Sequence, residues 1–289
     1  CEGKYALPAW CDSHTHLVFA DSRSGEFLSR LEGKSYQEIA AEGGGILNSA
    51  RALQAMSEAD LLADARKRLQ QAIRTGTGSI EIKSGYGLTA EAELKMLRVI
   101  RALKEEFTIP MKATFLACHA VPEGEWTAAT WTEHMIDQAL PVVANEGLAD
   151  YVDAFCEKGY FGLEETQSLL DAAASHRIKS KVHVNQFNAF GGVKLCVNSN
   201  AVSVDHLEEL SAEDVEALKS AADSSNPTFA TALPGCSYFL GIPYTPVHEL
   251  MKADVPVALA TDFNPGSAPS SNMNRVVQLA ILKMKMHPL

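Results

Sequence analysis

Five of the nine histidines fall where short apolar runs end: His14 and His16, His119, His183 and His206. Asp262 closes a further run. In an extended segment residues i and i+2 point to the same face, so His14 and His16 would present two imidazoles together. Neutral imidazoles suit zinc, iron or nickel far better than magnesium or calcium. Alone, an H-x-H pattern is weak, because such histidines often bond to backbone carbonyls. With His183 and Asp262 added, three imidazoles and one carboxylate would surround an ion and leave a position for water, as a catalytic site requires. That ion would acidify water and polarise a carbonyl, the chemistry of C–N or C–O hydrolysis. Asp262 could hold the ion with one oxygen and take the water proton with the other, delivering it later to a leaving nitrogen. His206 would hydrogen-bond the attacking water or the developing oxyanion; the alternative is a packed histidine paired with Asp205 or Glu208.

These side chains need elements to carry them. Eight apolar or β-branched runs are expected as strands: Tyr5–Val18, Gly78–Lys83, Met111–His119, Tyr151–Glu157, Lys179–Val184, Ala201–Leu207, Thr228–Leu233 and Val255–Asp262. Amphipathic segments separate them: Ser57–Thr75, Ala90–Phe107, Ala129–Glu146, Leu163–His176, Ala189–Ser199, Ala212–Ala222 and Pro246–Ala253. In the first of these, Leu61, Leu62, Ala65, Leu69, Ala72 and Ile73 recur at helical spacing, and Ser57 with Asp60 forms a capping pair. Strand and helix alternating eight times define a (β/α)8 TIM-type barrel of the α/β class, with reactive groups at the carboxyl ends of its strands. An open doubly wound sheet is the rival, but it usually needs a glycine-rich turn where His14-Thr15-His16 stands. The connection Phe19–Gly45 is long and ends in Gly43-Gly44-Gly45, without the Lys-Ser/Thr of a phosphate loop. A long loop at that face carries function. One catalytic barrel is expected over residues 1–289, closing with a helix near Met273–Met286.

Composition narrows the partners. In 289 residues, 25 Lys and Arg stand against 36 Asp and Glu, a net charge of −11 that argues against nucleic acid and anionic membranes alike. No apolar run approaches the roughly 20 residues that span a bilayer. The six cysteines are dispersed without a C-x-x-C pair, which points to reduced, mostly buried thiols and a cytoplasmic home. Cys118 and Cys156 are expected as packing residues, and His134, His176, His248 and His287 at the surface. A chain that opens at Cys1, close to its first strand, is expected to be a piece of a longer protein.

Asp12-Ser13-His14-Thr15-His16, together with His183, His206 and Asp262, resembles the metal-dependent amidohydrolase superfamily. Several strings are similar to the imidazolonepropionase family within it: His14-Thr15-His16-Leu17-Val18-Phe19-Ala20, Lys83-Ser84-Gly85-Tyr86-Gly87-Leu88, Glu93-Leu94-Lys95-Met96-Leu97 and Cys118-His119-Ala120-Val121-Pro122. Ala260-Thr261-Asp262-Phe263-Asn264-Pro265-Gly266-Ser267 is the most specific of these matches, alongside the Lys83 string. The resemblance implies hydrolysis of the cyclic amide of 4-imidazolone-5-propanoate to N-formimino-L-glutamate in histidine degradation, by a homodimer. It implies His14, His16, His183 and Asp262 as ligands of one zinc or iron ion, with Arg23, Tyr36, Tyr86, His119, Gln186, Asn264, Gly266 and Ser267 binding a small-molecule substrate.

The residue chemistry fits that assignment. A guanidinium at Arg23 matches a propionate arm through paired hydrogen bonds. Tyr86 and His119 offer neutral donors, Gly85 and Gly87 permit a tight turn, and Asn264 with the Gly266-Ser267 backbone would grip ring nitrogens or the opened product. Position 186 is Gln where some relatives carry Glu, so proton transfer falls to Asp262 with His206 assisting. Pro8-Ala9 replaces a frequent Pro-Gly, and the flanks of the family's small β-sandwich are missing, which predicts exposed apolar surface where it would dock. The fourth run ends Asp153-Ala154-Phe155-Cys156-Glu157, with no lysine to bridge two ions, and Lys83 lies too early. Two other readings stay open. One is a different cyclic amidase or deaminase on the same site; a purine or pyrimidine deaminase would not need a carboxylate clamp. The other is an inactive barrel that serves as a binding module.

Overall fold

The computed structural model describes residues 2–3, 5–34, 38, 44–222 and 224–287. Its strands are β1 (Trp10–Asp12), β2 (Thr77–Lys83), β3 (Met111–Cys118), β4 (Tyr151–Cys156), β5 (Lys179–Val184), β6 (Ser203–His206), β7 (Phe229–Ala232) and β8 (Val257–Leu259). They pair in sequence order, every neighbour parallel. The ring closes just beyond the named strands: Thr15 bridges Phe263, His16 N–H donates to Phe263 O at 2.9 Å, and Asp262 N–H donates to His14 O at 3.0 Å. Nearby, the buried Asp12 carboxylate accepts from Thr261 N–H at 3.0 Å and from its hydroxyl at 2.6 Å. A parallel strand covered on both faces must be apolar throughout, and β3 is buried without a break from Ala113 to Cys118.

The helices follow from periodicity. Glu58–Arg74 buries Leu61, Ala65, Leu69 and Ala72, and Ser57 caps it by accepting from Asp60 N–H at 3.1 Å. The expected Ala129–Glu146 helix runs as Ala128–His134 and Leu140–Glu146 around a π-helical turn at Met135–Ala139. Pro141 explains the wider turn, because it brings no N–H to the ladder. Among the described residues, no helix is long and apolar enough to cross a membrane.

Three expectations change. β1 covers three residues rather than Tyr5–Val18, so His14 and His16 lie past the strand, and Tyr5 and Leu7 are exposed at 95 % and 81 %. Pro8 has no donor for a ladder, and residues 5–9 pair with no strand. The long connection after β1 contains a helix, Ser24–Leu31, and leads into another, Ile46–Ala55. A further helix, Pro234–Leu240, follows β7 and brings Cys236 and Ser237 beneath the barrel mouth. Of the described cysteines only Cys11 is exposed; burial pushes the Cys118 and Cys156 thiols up to about 12 and about 11.

Asp150 ties β3 to the start of β4. It accepts from Ala113 N–H at 2.9 Å, Lys104 at 2.9 Å and Lys112 at 2.7 Å. Burial alone would raise its pKa, but Lys112, the Ala113 amide and Lys104 outweigh it and hold the carboxyl below its ordinary value. A depressed folded pKa gives stability that is full above the unfolded value, near 3.9, and is lost as pH falls through the folded one. Asp150→Asn should therefore cost about 1 kcal/mol at pH 7. In urea denaturation the gap to the parent should close below about pH 4.

Candidate metal centre and active site

His14 and His16 flank Thr15, the residue bridged to Phe263, so strand-like alternation continues past β1 and sends both rings into the mouth. His183 is the penultimate residue of β5, His206 is the last of β6, and Asp262 lies three residues after β8. All five are buried. His14 Nε2 and His16 Nε2 lie 3.4 and 3.5 Å from Asp262 Oδ1, and His183 Nε2 is 3.3 Å from His16 Nε2. Tetrahedral bonds of about 2.0–2.1 Å place neighbouring donors about 3.3 Å apart. His14 Nε2 is moreover a buried atom with no hydrogen-bond partner. His14, His16 and Asp262 lie together, as do His14, His183 and His206, and these donors with the bare nitrogen fit a metal ion.

Beneath the rings lies an ionic floor. Asp205 Oδ2 is 2.7 Å from His14 Nδ1, and Asp153 Oδ2 is 2.9 Å from His183 Nδ1. A carboxylate on Nδ1 puts the imidazole proton there and turns the Nε2 lone pair to the centre. Burial, with Lys83 next, holds the His14 and His183 pKa values well below the ordinary one; burial and then His119 do so for His16. All three imidazoles are therefore neutral, as metal binding requires. Burial pushes Asp262 up to about 6, with His206 the leading opposing influence. A cation among the donors would bring it back down.

His206 differs from the other histidines. Burial would lower its pKa, but Glu208 and then Asp262 outweigh it and raise the value. Its Nδ1 is 3.3 Å from Glu208 Oε2, and Ser237 Oγ donates to Glu208 Oε1 at 3.1 Å. Of the two partners expected for His206, Glu208 fills the place and Asp205 serves His14 instead. The backbone at His206, Leu207 and Asp262 takes φ of +92°, +63° and +54°, a left-handed conformation unusual outside glycine. Such strain concentrates at functional sites.

Above these donors opens a cleft lined among others by His16, Arg23, Tyr86, His119, Gln186, Asn264 and Ser267. Arg23 is buried; its Nε donates to Ser49 Oγ at 2.9 Å and its guanidinium carbon lies 5.6 Å from the Tyr86 ring centre. Gly266 makes room for it, since a Cβ there would fall 2.2 Å from Arg23 Nη1. His119 stacks on His16 with centroids 5.2 Å apart and donates from Nδ1 to Gly85 O at 2.8 Å. Burial pushes its pKa down to about 4, so it meets a ligand as a neutral ring. Gln186 donates to Cys236 Sγ at 3.4 Å. Asn264, Gly266 and Ser267 bond chiefly to one another: Asn264 Oδ1 accepts from Gly266 N–H at 2.8 Å and Ser267 N–H at 2.7 Å. The donors expected to grip a ring thus shape the turn that follows Asp262. Tyr36 lies outside the described residues.

No family model matches the chain. The imidazolonepropionase of Christiangramia forsetii is 55 % identical over 287 residues, 99 % of this chain and 69 % of that protein. The imidazolonepropionases of Flavobacterium johnsoniae and Vibrio parahaemolyticus are 54 % and 41 % identical, over 99 % of this chain and 69 % and 68 % of theirs. The chain belongs to the imidazolonepropionase family. Two solved structures share the fold: 5-methylcytosine deaminase from Klebsiella pneumoniae (TM-score 0.72, 16 % identity, covering 96 % of this chain and 69 % of that one) and guanine deaminase from C. acetobutylicum (0.65, 14 %, 95 % and 65 %).

In this imidazolonepropionase-family barrel, several working residues escape a search for strand-end histidines. Asp153, Lys83 and Glu81 lie inside the barrel with Asp205. Their sequence signal is a charge set among apolar strand neighbours, as in Glu81-Ile82-Lys83. Glu157 accepts from Phe187 N–H at 2.8 Å and Asn188 Nδ2 at 2.9 Å, holding the loop that carries Gln186. Glu93 accepts from the Gly85 and Gly87 amides, each at 2.6 Å, and fixes the Tyr86 turn. Gly85 has φ +111°, and a Cβ there would meet Leu116 Cδ2 at 2.7 Å and His119 Nδ1 at 2.9 Å. Gly85→Ala should cost about 2 kcal/mol or more in urea denaturation, from backbone strain and overpacking together. Gly33→Ala, at φ +101° with nothing within 4 Å, should cost only about 1 kcal/mol, from backbone strain alone.

Proposed function

We propose that this enzyme hydrolyses the ring amide of 4-imidazolone-5-propanoate, giving N-formimino-L-glutamate. The observation that carries the reading is the placement of a buried guanidinium, Arg23, on the same cleft as four convergent donors. That pairing suits a substrate with one carboxylate arm and one scissile C–N bond. His14, His16, His183 and Asp262 would hold a single ion, zinc or iron. When bound, the ion supplies Lewis acidity, making water acidic near neutral pH and polarising the ring carbonyl.

The side chains do the rest. Arg23 takes the propionate as a charge-assisted pair, with Tyr86 closing over it. Neutral His119 and Gln186 orient the ring without competing for its charge. Asp262 directs Oδ1 to the histidines and leaves Oδ2 near Ser267 Oγ, at 3.5 Å, to receive the proton of the attacking water. His206, oriented by Glu208, donates to the oxyanion that forms at the ring carbonyl. Water adds at that carbon, the C–N bond breaks, and the proton held by Asp262 passes to the departing nitrogen, which becomes the formimino group. The carbonyl carbon leaves as a new carboxylate. Gln186 has no proton to take up, so it binds and does not act as base. One barrel over the chain suffices for these roles, and homodimer assembly is part of the same proposal.

His183→Ala should abolish metal binding in elemental analysis. His206→Ala should keep the ion and lose about 10²–10⁴-fold in kcat; full activity in this variant would remove His206 from the mechanism. Arg23→Ala should lower kcat/KM for imidazolonepropanoate about 100-fold, the worth of a bond of about 3 kcal/mol to a charged group. If an analogue lacking the carboxylate arm suffers equally, the clamp is elsewhere.

A further inference from the structure

Lys83 closes β2 with its side chain fully buried. Its ammonium lies 2.9 Å from Glu81 Oε1, 2.9 Å from Asp153 Oδ2 and 3.9 Å from Asp205 Oδ2. The oxygen of Asp153 that meets Lys83 is the one that meets His183 Nδ1, and the oxygen of Asp205 that meets Lys83 is the one that meets His14 Nδ1. One cation thus pairs with the oxygen that faces His183 and also stands near the one that orients His14, which it shares with the closer Lys181. The remaining contacts keep it in place. Thr114 hydroxyl donates to Glu81 Oε1, Thr15 N–H donates to Glu81 Oε2 at 3.3 Å, and Lys181 sits 3.5 Å from Asp205.

A carboxylate orients an imidazole only while it is correctly aimed. Two such groups in a buried floor repel each other, and without the ammonium that lies 2.9 Å from Asp153 one would turn away from its ring. The ring above it would then be free to carry its proton on Nε2, where the metal must bind. We propose that Lys83 is a positioning residue for the metal site, acting through Asp153 and Asp205 to hold His14 and His183 with Nε2 bare. The inference rests on those two histidines being metal ligands.

The test is metal loading at graded chelator concentration, read by elemental analysis on the purified enzyme, with the melting temperature of the apo form measured alongside. Lys83→Met should weaken metal affinity about 10–100-fold, the range for loss of a partner behind a ligand. At saturating metal its kcat should return to within a few-fold of the parent, with KM unchanged. Lys83→Met/Glu81→Gln, which removes one negative charge along with the positive one, should be more stable yet equally weak for metal, and serves if the single variant does not fold. Parent metal affinity in a folded variant, with only the melting temperature lowered, would make Lys83 a structural cation and overturn the inference. His183→Ala separates the two levels of the account: if it keeps its metal, the ligand assignment itself fails, whatever Lys83 does.

Discussion

Lone pairs that face one another in a dry cavity repel unless something positive lies among them. The Asp205–His14 hydrogen bond requires a proton on that Nδ1, because a carboxylate only accepts, and Asp153 Oδ2 stands 2.9 Å from His183 Nδ1. His14 Nε2 is then bare, and Asp262 adds an oxygen between His14 and His16. His16, His183 and Asp262 also line the cleft, where water can reach them, but His14 Nε2 is buried with no hydrogen-bond partner. The arrangement makes physical sense around a cation, and the remainder of the barrel follows from the need to hold it. The β1–β8 seam positions the H-x-H segment against Asp262, and the ionic floor keeps the rings from turning.

That constraint also divides the labour within the mouth. Groups below the rings are charged, mutually paired and fully buried; groups above them are neutral or face the cleft. His119 is neutral because burial depresses its pKa, whereas His206 is raised because Glu208 and Asp262 outweigh burial. Two imidazoles on neighbouring parts of one cleft are thereby shifted in opposite directions. Deaminases of the same fold show that the barrel alone does not choose a substrate. In this chain the cleft wall seats a buried Arg23 against Gly266, Ser49 and Tyr86.

Much of this was legible in the sequence, and the losses have physical causes. Lys179–Val184 matches β5 residue for residue, because Val182 and Val184, β-branched and two apart, mark a strand even among polar neighbours. The first strand was overestimated, because apolar residues at 5–9 read as a strand whether or not a neighbour is there to pair with them. The H-x-H face was still right, since one bridge at Thr15 preserves the alternation. Asp153 and Lys83 are harder to see: a charge among apolar neighbours is their one local signal, and it does not tell a buried lysine from one at a strand's exposed end. The Asn264-Gly266-Ser267 turn was read as ligand-facing; Asn264 and Ser267 line the cleft, and Asn264 Oδ1 also accepts from the Gly266 and Ser267 amides, a local use of a short polar side chain that the sequence does not display.

X-ray absorption at the metal edge of the purified enzyme addresses the central claim most directly. One ion per chain, with nitrogen and oxygen neighbours at about 2.0–2.1 Å and the multiple-scattering pattern of three imidazoles, is the expected spectrum. A sulfur shell near about 2.3 Å, or an ion with fewer than two imidazoles, would contradict it.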